Sequence, residues 1–596
     1  MNMLRIRTHT FACLLAYGLA CCVSTSKAAD THYVATTGNN GNIGSQESPW
    51  LTIGYAASQT TPGDIVRVQA GTYDEHVDMS TSGTSNSWIT YVADGQAICR
   101  GFDLNGRDYI RIIGFEIVHV EDGAEAHGIT LDGSSCIDII DNYIHDVEFD
   151  AIRGGYGVAN SYITVRGNII DYIGHIEGEA DGWHGNAAVV RASYPNDHHW
   201  LIEYNTASRC GDYALSYGEN AVVRNNYFHD FNNAYWNNEP SIHSDIFQPG
   251  SDGLQVKARN QVYERNFCGD APGADAHFGI WQDTVEAGDT NIVIRGNVAY
   301  HFGSTGIGVK STDKVSTHNN TFYKICQDTP GTVIAFYRTV SDPGQSYAVN
   351  CSAVNTILYD YGASDSGNAI VSYTTANLSH NIGYMAGSES SYVSTDDPLF
   401  VDPTSPARDF RLQFGSPAIG RGTHMVSITS ADGSGNTFNV NDGQLLIDGW
   451  GMVDGDTVTV GGTTTEITSI SGNAVTVADA LTWTNGIPVY WGPEPTVDIG
   501  ALPYGSTPLT SATLIQNGTT YTVNTTGDTR GVWFYVDGIP VSWDSSSPYS
   551  TTITNGTVTA KAYALYAQAD PVVDATSSSD STRPAPPANI QVQPPE

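Results

Sequence analysis

Positive charge is what this chain has least of: 26 Lys and Arg stand against 63 Asp and Glu among 596 residues, a formal net charge of −37. Such a surface is soluble and repels nucleic acid and anionic membranes, which excludes both as partners. Long apolar runs are scarce too. Beyond Phe11–Val23, no stretch is long and apolar enough to predict a transmembrane segment. Stretches with helical periodicity are few, whereas Gly, Asn, Asp, Ser and Thr abound, so an all-β chain is predicted. Its length exceeds what one core fills, so several units are expected.

Arg5 and Arg7, the apolar run, then Ser26, Ala28 and Ala29 read as a secretory signal peptide over residues 1–29, which places the mature chain outside the cell or on its surface. A lipoprotein site at Cys21 is the alternative, with Gly18 and Leu19 fitting that motif poorly. Cleavage removes Arg5, Arg7 and Lys27 and leaves about −40. Of nine cysteines, six remain (Cys99, Cys136, Cys210, Cys268, Cys326, Cys351); an exported chain permits disulfides, and burial as small apolar groups is equally open.

One short phrase recurs: LIEYNTASRC, AVVRNNYFHD, QVYERNFCGD, NIVIRGNVAY and KVSTHNNTFY, each an alternating strand ending in Asn. Extended both ways it gives a ladder of Asn142, Asn168, Asn205, Asn226, Asn266, Asn297, Asn320 and Asn355. Its shortest gaps, 21 and 23 residues, are a minimal repeat, and the longer ones carry inserted loops. A strand-and-turn unit of this size predicts a β-solenoid, with Asn at corners for its left-handed tolerance and amide hydrogen bonding. A second phrase follows each Asn (GITL 128–131, DAIR 150–153, YALS 213–216, DIFQ 245–248, GIWQ 279–282, GIGV 306–309, VIAF 333–336), a further strand per rung.

These phrases, with the opening HYVATTGNNGNIGSQESPWLTIGYAASQTTPGDIVRVQAGTYDEHV and the later DPLFVD, DFRLQFGSPAIGRGT and DIGALPYG, resemble the pectate-lyase-like right-handed parallel β-helix proteins. That group includes secreted polysaccharide-active members such as polysaccharide lyase family 9. The implied organisation is a β-helix over 30–422 closed by a rung at 495–505, an inserted small β-barrel at 423–494, a β-sandwich at 506–568 and a disordered tail at 569–596. The sandwich segment, with FYVDG, PYS and NGTVTAKA in order, is similar to bacterial immunoglobulin-like modules.

A filled solenoid interior puts any site on an outer face or in a loop. Aligning Ile129, Ala188, Ala214, Ile246, Ile280, Ile307 and Ile334 as the inward column predicts an outward column of Asp132, Arg191, Tyr217, Pro249, Asp283, Lys310 and Tyr337. It also sets Phe247 beside Trp281 and His243 beside His277, with Asp245 facing out between. Asp283 and Lys310 are then close enough to touch. Loops bearing Trp183, His184, Tyr235 and Trp236 would wall a groove suited to sugar stacking.

Three functions compete. In β-elimination on a uronic-acid polysaccharide, Lys310 is the base and Arg191 or Arg338 neutralises the sugar carboxylate. The resemblance implies a lysine base with Asp-bound Ca2+: GIGVKS (306–311) and SDGLQVK (251–257) are similar to family 9 segments, and ADGWH (180–184) echoes a third out of order. The Ca2+ ligands would be Asp245, Asp252 and Asp181. In glycoside hydrolysis, Asp245 and Asp283 would lie roughly 14 Å apart between backbones, too far for the about 6.5–9.5 Å of an inverting pair; Glu239, Asp181 or Asp252 would have to substitute. A non-catalytic adhesin is the third reading, against which stands the crowding of aromatics, His, Asp and Lys at 243–310. An extracellular polysaccharide is the expected partner, and the chain is expected to be monomeric.

Overall fold

The computed structural model describes residues 30–577 apart from 120–125, 155–157, 175–187, 193–195, 211, 217, 232–243, 248–258, 274–275, 283–289, 311, 330, 338–347, 363–368, 373–375, 387–389 and 494–496. Its main body is a parallel β-helix with three strands per rung. Face A runs from Ile110–Ile113 to Asn377–Ser379, face B from Glu116–His119 to Asn381–Tyr384, and face C from Ile129–Thr130 to Ile370–Ser372. Strands pair in parallel with their counterparts on neighbouring rungs, and on face C the strands from Ser244–Phe247 on form a sheet of their own.

Stacking like on like builds the core. On face A the column Ile112, Ile139, Val165, Ile202, Val223, Tyr263, Ile294 is in register and buried throughout. The helix Ile53–Gln59 covers the first rung, burying Ile53, Ala56 and Ala57. Glu75 accepts from the amides of Ile53 at 2.7 Å and Gly54 at 2.9 Å, satisfying donors that the helix start leaves open.

The asparagine ladder forms from Asn142 to Asn320. Each amide donates to the next Asn Oδ1 at 3.0 Å and to a carbonyl of the preceding rung, while its oxygen takes the backbone N–H of the Asn before it. Two details differ from the sequence reading. The left-handed residue is the one before the ladder Asn, as at Asp141, Tyr204, Arg265 and Asn319. Asn355 likewise has φ of 54° and donates to the Thr423 carbonyl, so Thr356 takes the ladder position and meets Asn381. Removing one member orphans its neighbours: Asn266→Ala would strand Nδ2 and the backbone N–H of Asn226 and the Val223 carbonyl. At about 1–3 kcal/mol for each buried unsatisfied group, several kcal/mol of destabilisation is expected. Calorimetric unfolding should show it, and Asn266→Asp, which puts a charge against two acceptors, should be at least as harmful.

Six strands between Val426–Ser427 and Pro488–Trp491 form an antiparallel sheet. It closes into a barrel where Thr429 N–H donates to the Asn439 carbonyl at 2.8 Å. Its core includes Phe438, Val458, Ile467, Val475 and Val489. From Ser511 on, two four-stranded sheets pack around Leu514, Val523, Val532, Phe534 and Ala562. Residues 497–505 form no strand; they lie along the solenoid, with Gly500 N–H donating to the Asn355 carbonyl and Ala501 N–H to Thr321 Oγ1. The six described cysteines are unpaired, and five are buried. Burial pushes the Cys99 and Cys326 thiols up to about 12, as expected of small apolar groups in a core.

The additions choose their faces. The sandwich lies on face A through Tyr204 against Tyr563, Arg166 over Trp533 and Lys561 on Asp141 at 2.8 Å. The barrel also lies on face A, through Ile447 and Trp450 against Val262 and Val293. Phe400 and Phe410 pack on face B among Phe267, Tyr300, Tyr323 and Tyr359.

Candidate functional site

In sequence, the face C strands from Ala188–Ala192 to Ile334–Tyr337 adjoin the stretches 175–187, 232–243, 248–258, 283–289 and 338–347, which lie outside the described residues. Its register differs from the sequence alignment at two rungs. Val190, not Ala188, pairs with Ile152 and Ala214, and Gly279, not Ile280, pairs with Phe247 and Ile307. AAVV at 187–190 and FGIW at 278–281 each offer more than one small or apolar residue for the aligned position, which is how the offset arises.

Arg191 therefore sits beside Arg153 and Leu215 rather than Asp132 and Tyr217. Its Nε donates to both oxygens of the fully buried Asp150, at 2.8 and 3.0 Å. Asp150 also accepts the Ala188 N–H at 2.8 Å, and its own N–H donates to His127 Nδ1 at 3.2 Å. The Arg153 guanidinium meets the other nitrogen of His127, and both guanidiniums lie 5.9 Å from the Phe149 ring centroid. Two further histidines join the network. His119 Nδ1 lies 2.7 Å from the His127 carbonyl, and the His76 ring lies tilted with its centroid 4.8 Å from that of His119 and with Asp103 at 3.3 Å. Burial opposes charge on His76, but Asp103 outweighs it and raises the imidazole above its ordinary value; burial raises Asp103, and His76 outweighs that and lowers it. Gly101 lies beside this group because a Cβ there would sit 2.0 Å from the Gly128 carbonyl.

Further along face C, Asp245 is fully buried rather than facing out, and its carboxylate lies 2.8 Å from His277 Nδ1. His277 therefore neighbours Asp245 rather than another histidine. Phe247 is also fully buried, packed on Phe228, Tyr263 and Phe278. A ring with no exposed edge has no surface for a sugar, so the expected stacking role fails there. Lys310 ends the strand Ile307–Lys310, in register with Gln282 and Tyr337 rather than Asp283. Trp281 is in the preceding strand opposite Val309. Tyr217, His243, Asp283, Arg338, Trp183, His184, Trp236, Asp181 and Asp252 lie outside the described residues.

Arg191 and Lys310 are separated by four rung steps along face C, about 19 Å at strand spacing. They cannot serve the same reacting sugar. The upstream network of His127, Asp150 and Arg153 escaped the sequence reading although DAIR (150–153) was recognised as a rung phrase. Its signal was an Asp and an Arg three apart around two buried residues, legible once AHGI (126–129) is set one rung above.

Of the residues expected to hold Ca2+, Asp245 is described, and an imidazole already occupies one of its oxygens. One such ligand does not make the oxygen cage that Ca2+ requires. Among the described residues, the group with three ligand atoms in mutual reach is Asp30, His32 and Asp64, at the far end of the solenoid. There Asp64 already accepts from Thr61 N–H and Oγ1 at 2.8 and 2.9 Å.

No protein-family model matches the chain. The uncharacterized protein YwoF of Bacillus subtilis (strain 168) is 29% identical over 145 residues, which span 21% of this chain and 31% of that protein. Among solved structures, the pectate lyase Pel9A is similar at 17% identity and a TM-score of 0.36, over 68% of this chain and 94% of that one. A GH136 lacto-N-biosidase from Eubacterium ramulus is similar at 14% identity and a TM-score of 0.34, over 59% and 68%. An alginate lyase from Paenibacillus sp. str. FPU-7 is similar at 16% and 0.34, over 56% and 99%. Likenesses of this order assign no activity to this chain. No helix among the described residues is long and apolar enough to cross a membrane.

Proposed function

We propose that the chain is a secreted enzyme that depolymerises a uronic-acid-containing polysaccharide by β-elimination along face C. The observation that carries this reading is the division of labour among the faces. The appended units pack on A and the Phe400–Phe410 region on B, which leaves C, with its Asp150–Arg191 and Asp245–His277 pairs, as the face that no appended unit covers among the described residues. An uncovered face on a regular scaffold, beside long connections, is where function usually sits.

In this reading Lys310, as the free amine, removes the proton α to the uronate carboxylate. The electron pair forms the ring double bond as the glycosidic carbon–oxygen bond breaks, and a proton is delivered to the departing oxygen. Support comes from the uncharged ladder neighbours of Lys310, Gln282 and Tyr337. Arg191, held by Asp150 four rungs away, fits a second binding position better than the reacting one, and Arg338, next in sequence to Tyr337, is the proposed partner of the reacting carboxylate. We read the C-terminal two-sheet unit as an immunoglobulin-like module.

The test is ultraviolet absorbance of the unsaturated uronate while the full chain digests pectate, alginate, chondroitin and ulvan, run beside a reducing-sugar assay on neutral glycans and repeated with EDTA. Rising absorbance on one of the four acidic polymers is expected. Reducing ends without absorbance would replace elimination by hydrolysis, and silence in both assays would replace catalysis by adhesion. Loss of the signal with EDTA would bring a metal back and direct attention to Asp181 and Asp252.

A further inference from the structure

Where solenoid, barrel and sandwich meet, they enclose a cavity of about 390 Å³, within the range usual for small-molecule sites. Three arginines line it beside the carboxylates of Glu264, Asp454, Asp456, Asp498 and Asp528. Arg224 and Arg265 reach it from the solenoid and Arg530 from the sandwich, with Trp491 of the barrel between.

Most charges around it are matched. Arg224 is held by Glu203 at 2.8 Å, and Glu203 also takes Arg166 at 2.6 Å. Arg295 behind the wall takes both Glu264 at 2.8 Å and Asp456 at 2.5 Å. Arg265 lies over Trp491 at 4.6 Å and reaches Glu264 only at 4.0 Å. Arg530 makes no hydrogen bond or ion pair among the described residues. The remaining carboxylates do not answer it: Asp498 is occupied by the N–H groups of Gly420 and Tyr504 at 2.7 and 2.6 Å, Asp528 accepts from Thr507 N–H at 2.6 Å, and Asp454 is exposed. The ion pairs of the wall therefore run through Glu203, Glu264 and Asp456, and none of them reaches Arg530.

The placement of Arg530 is built. Thr529 pairs with Ala564 and Gly531 with Tyr563, so the ladder slips by one at Arg530 and leaves it as the extra residue of a bulge. Bulges re-aim a side chain, and this one serves a side chain that lines the cavity. Burial, and then the facing charges of Arg224 and Arg265, work against the Arg530 cation and lower its pKa. His318, also in the wall, supplies no compensating negative charge.

We propose that this cavity binds a compact oxyanion, the carboxylate or sulfate of an acidic saccharide, held by Arg530 and Arg265. A guanidinium fork matches such a group with two donors, and the desolvated setting strengthens each bond. Tyr504, 45% exposed at the wall, offers a ring beside it. The site is independent of elimination on face C.

The test is isothermal calorimetry and thermal unfolding of the full chain with sodium galacturonate, and separately sodium sulfate, against sodium chloride at equal ionic strength. Saturable galacturonate binding is expected, weakened about tenfold or more in Arg530→Gln. Arg530→Gln without ligand should unfold at a higher temperature than the wild type, since it removes an unanswered charge. Binding of sulfate but not galacturonate would keep the oxyanion and assign a free inorganic source. Equal responses to chloride, affinity unchanged in Arg530→Gln, or a lower unfolding temperature of that variant without ligand would each overturn the proposal.

Discussion

Arg295→Ala is expected to destabilise the chain by about 3–5 kcal/mol, the usual result of removing one partner from a buried ion network. Arg295 is fully buried. It donates through Nε and Nη2 to Glu264 at 2.9 and 2.8 Å, and through Nη1 and Nη2 to Asp456 at 2.9 and 2.5 Å. It also covers Trp491 at 4.4 Å. Glu264 belongs to the solenoid and Asp456 to the barrel, so one side chain joins two units across a dry contact. Without it, two buried carboxylates face each other. The barrel should lose protection first, seen as new proteolytic cleavage within 423–494 and an earlier calorimetric transition. Replacing all three by Glu264→Gln, Arg295→Met and Asp456→Leu should recover most of the loss, because apolar contact removes the need for the charges. If Arg295→Ala alone left both readouts unchanged, the contact would carry no stability.

The same network sets an acid limit. Burial pushes Glu264 up, but Arg295, Arg265 and Arg224 outweigh it and hold it at about 2, against an ordinary 4.5. Glu203 is likewise held at about 2 by Arg224 and Arg166. Both folded values are lower than the unfolded ones, so their stabilisation is complete above pH 4.5 and is lost as the pH falls toward 2. His318 acts in the same direction: burial, then Arg295, lowers it from 6.5 to about 4, so the unfolded chain takes up its proton first. The unfolding temperature should therefore be flat with respect to these groups above pH 6.5 and fall below it, with less of a fall in Arg295→Ala.

How much of this was legible depended on whether a local signal had one physical meaning. The Asn ladder did, because a buried amide repeated at rung spacing has nowhere to bond except to its neighbours, and Asn142 through Asn320 bond that way. Asn355 looked the same and is not, since the sequence ASN–THR at 355–356 places two corner-compatible residues side by side and only the fold selects Thr356. Face C was legible as a strand per rung and illegible in register. Phe247 follows an Ile and precedes a Gln, so alternation assigned it outward, whereas the structure buries both Ile246 and Phe247. The arginines of the cavity belong to three separate stretches, and no pattern within one strand announces a wall shared by units hundreds of residues apart.

Lys310→Ala should lower the elimination rate by roughly a hundredfold to ten-thousandfold, the usual worth of a general base, while leaving the unfolding temperature near that of the wild type. The informative companion is Lys310→Arg. A guanidinium keeps the positive charge but does not release its proton near neutral pH, so it preserves any purely electrostatic role and abolishes the basic one. If Lys310 is the base, both variants fail alike in kcat, and the rise of wild-type kcat/KM with pH disappears from their residual activity. If Lys310 only steadies the substrate carboxylate, Lys310→Arg retains most activity and Lys310→Ala mainly raises KM. His277→Ala gives an internal comparison: His277 is bonded to the buried Asp245 on the preceding rung and stands at the opposite end of its strand from Gln282, the neighbour of Lys310. Strand spacing puts about five residues between the two positions, roughly 17 Å, so the effects of His277→Ala and Lys310→Ala should add if both bear on one extended chain of sugars without acting on the same bond. Strong non-additivity would instead place both at the reacting sugar, and the rung register of face C would have to change to bring them together.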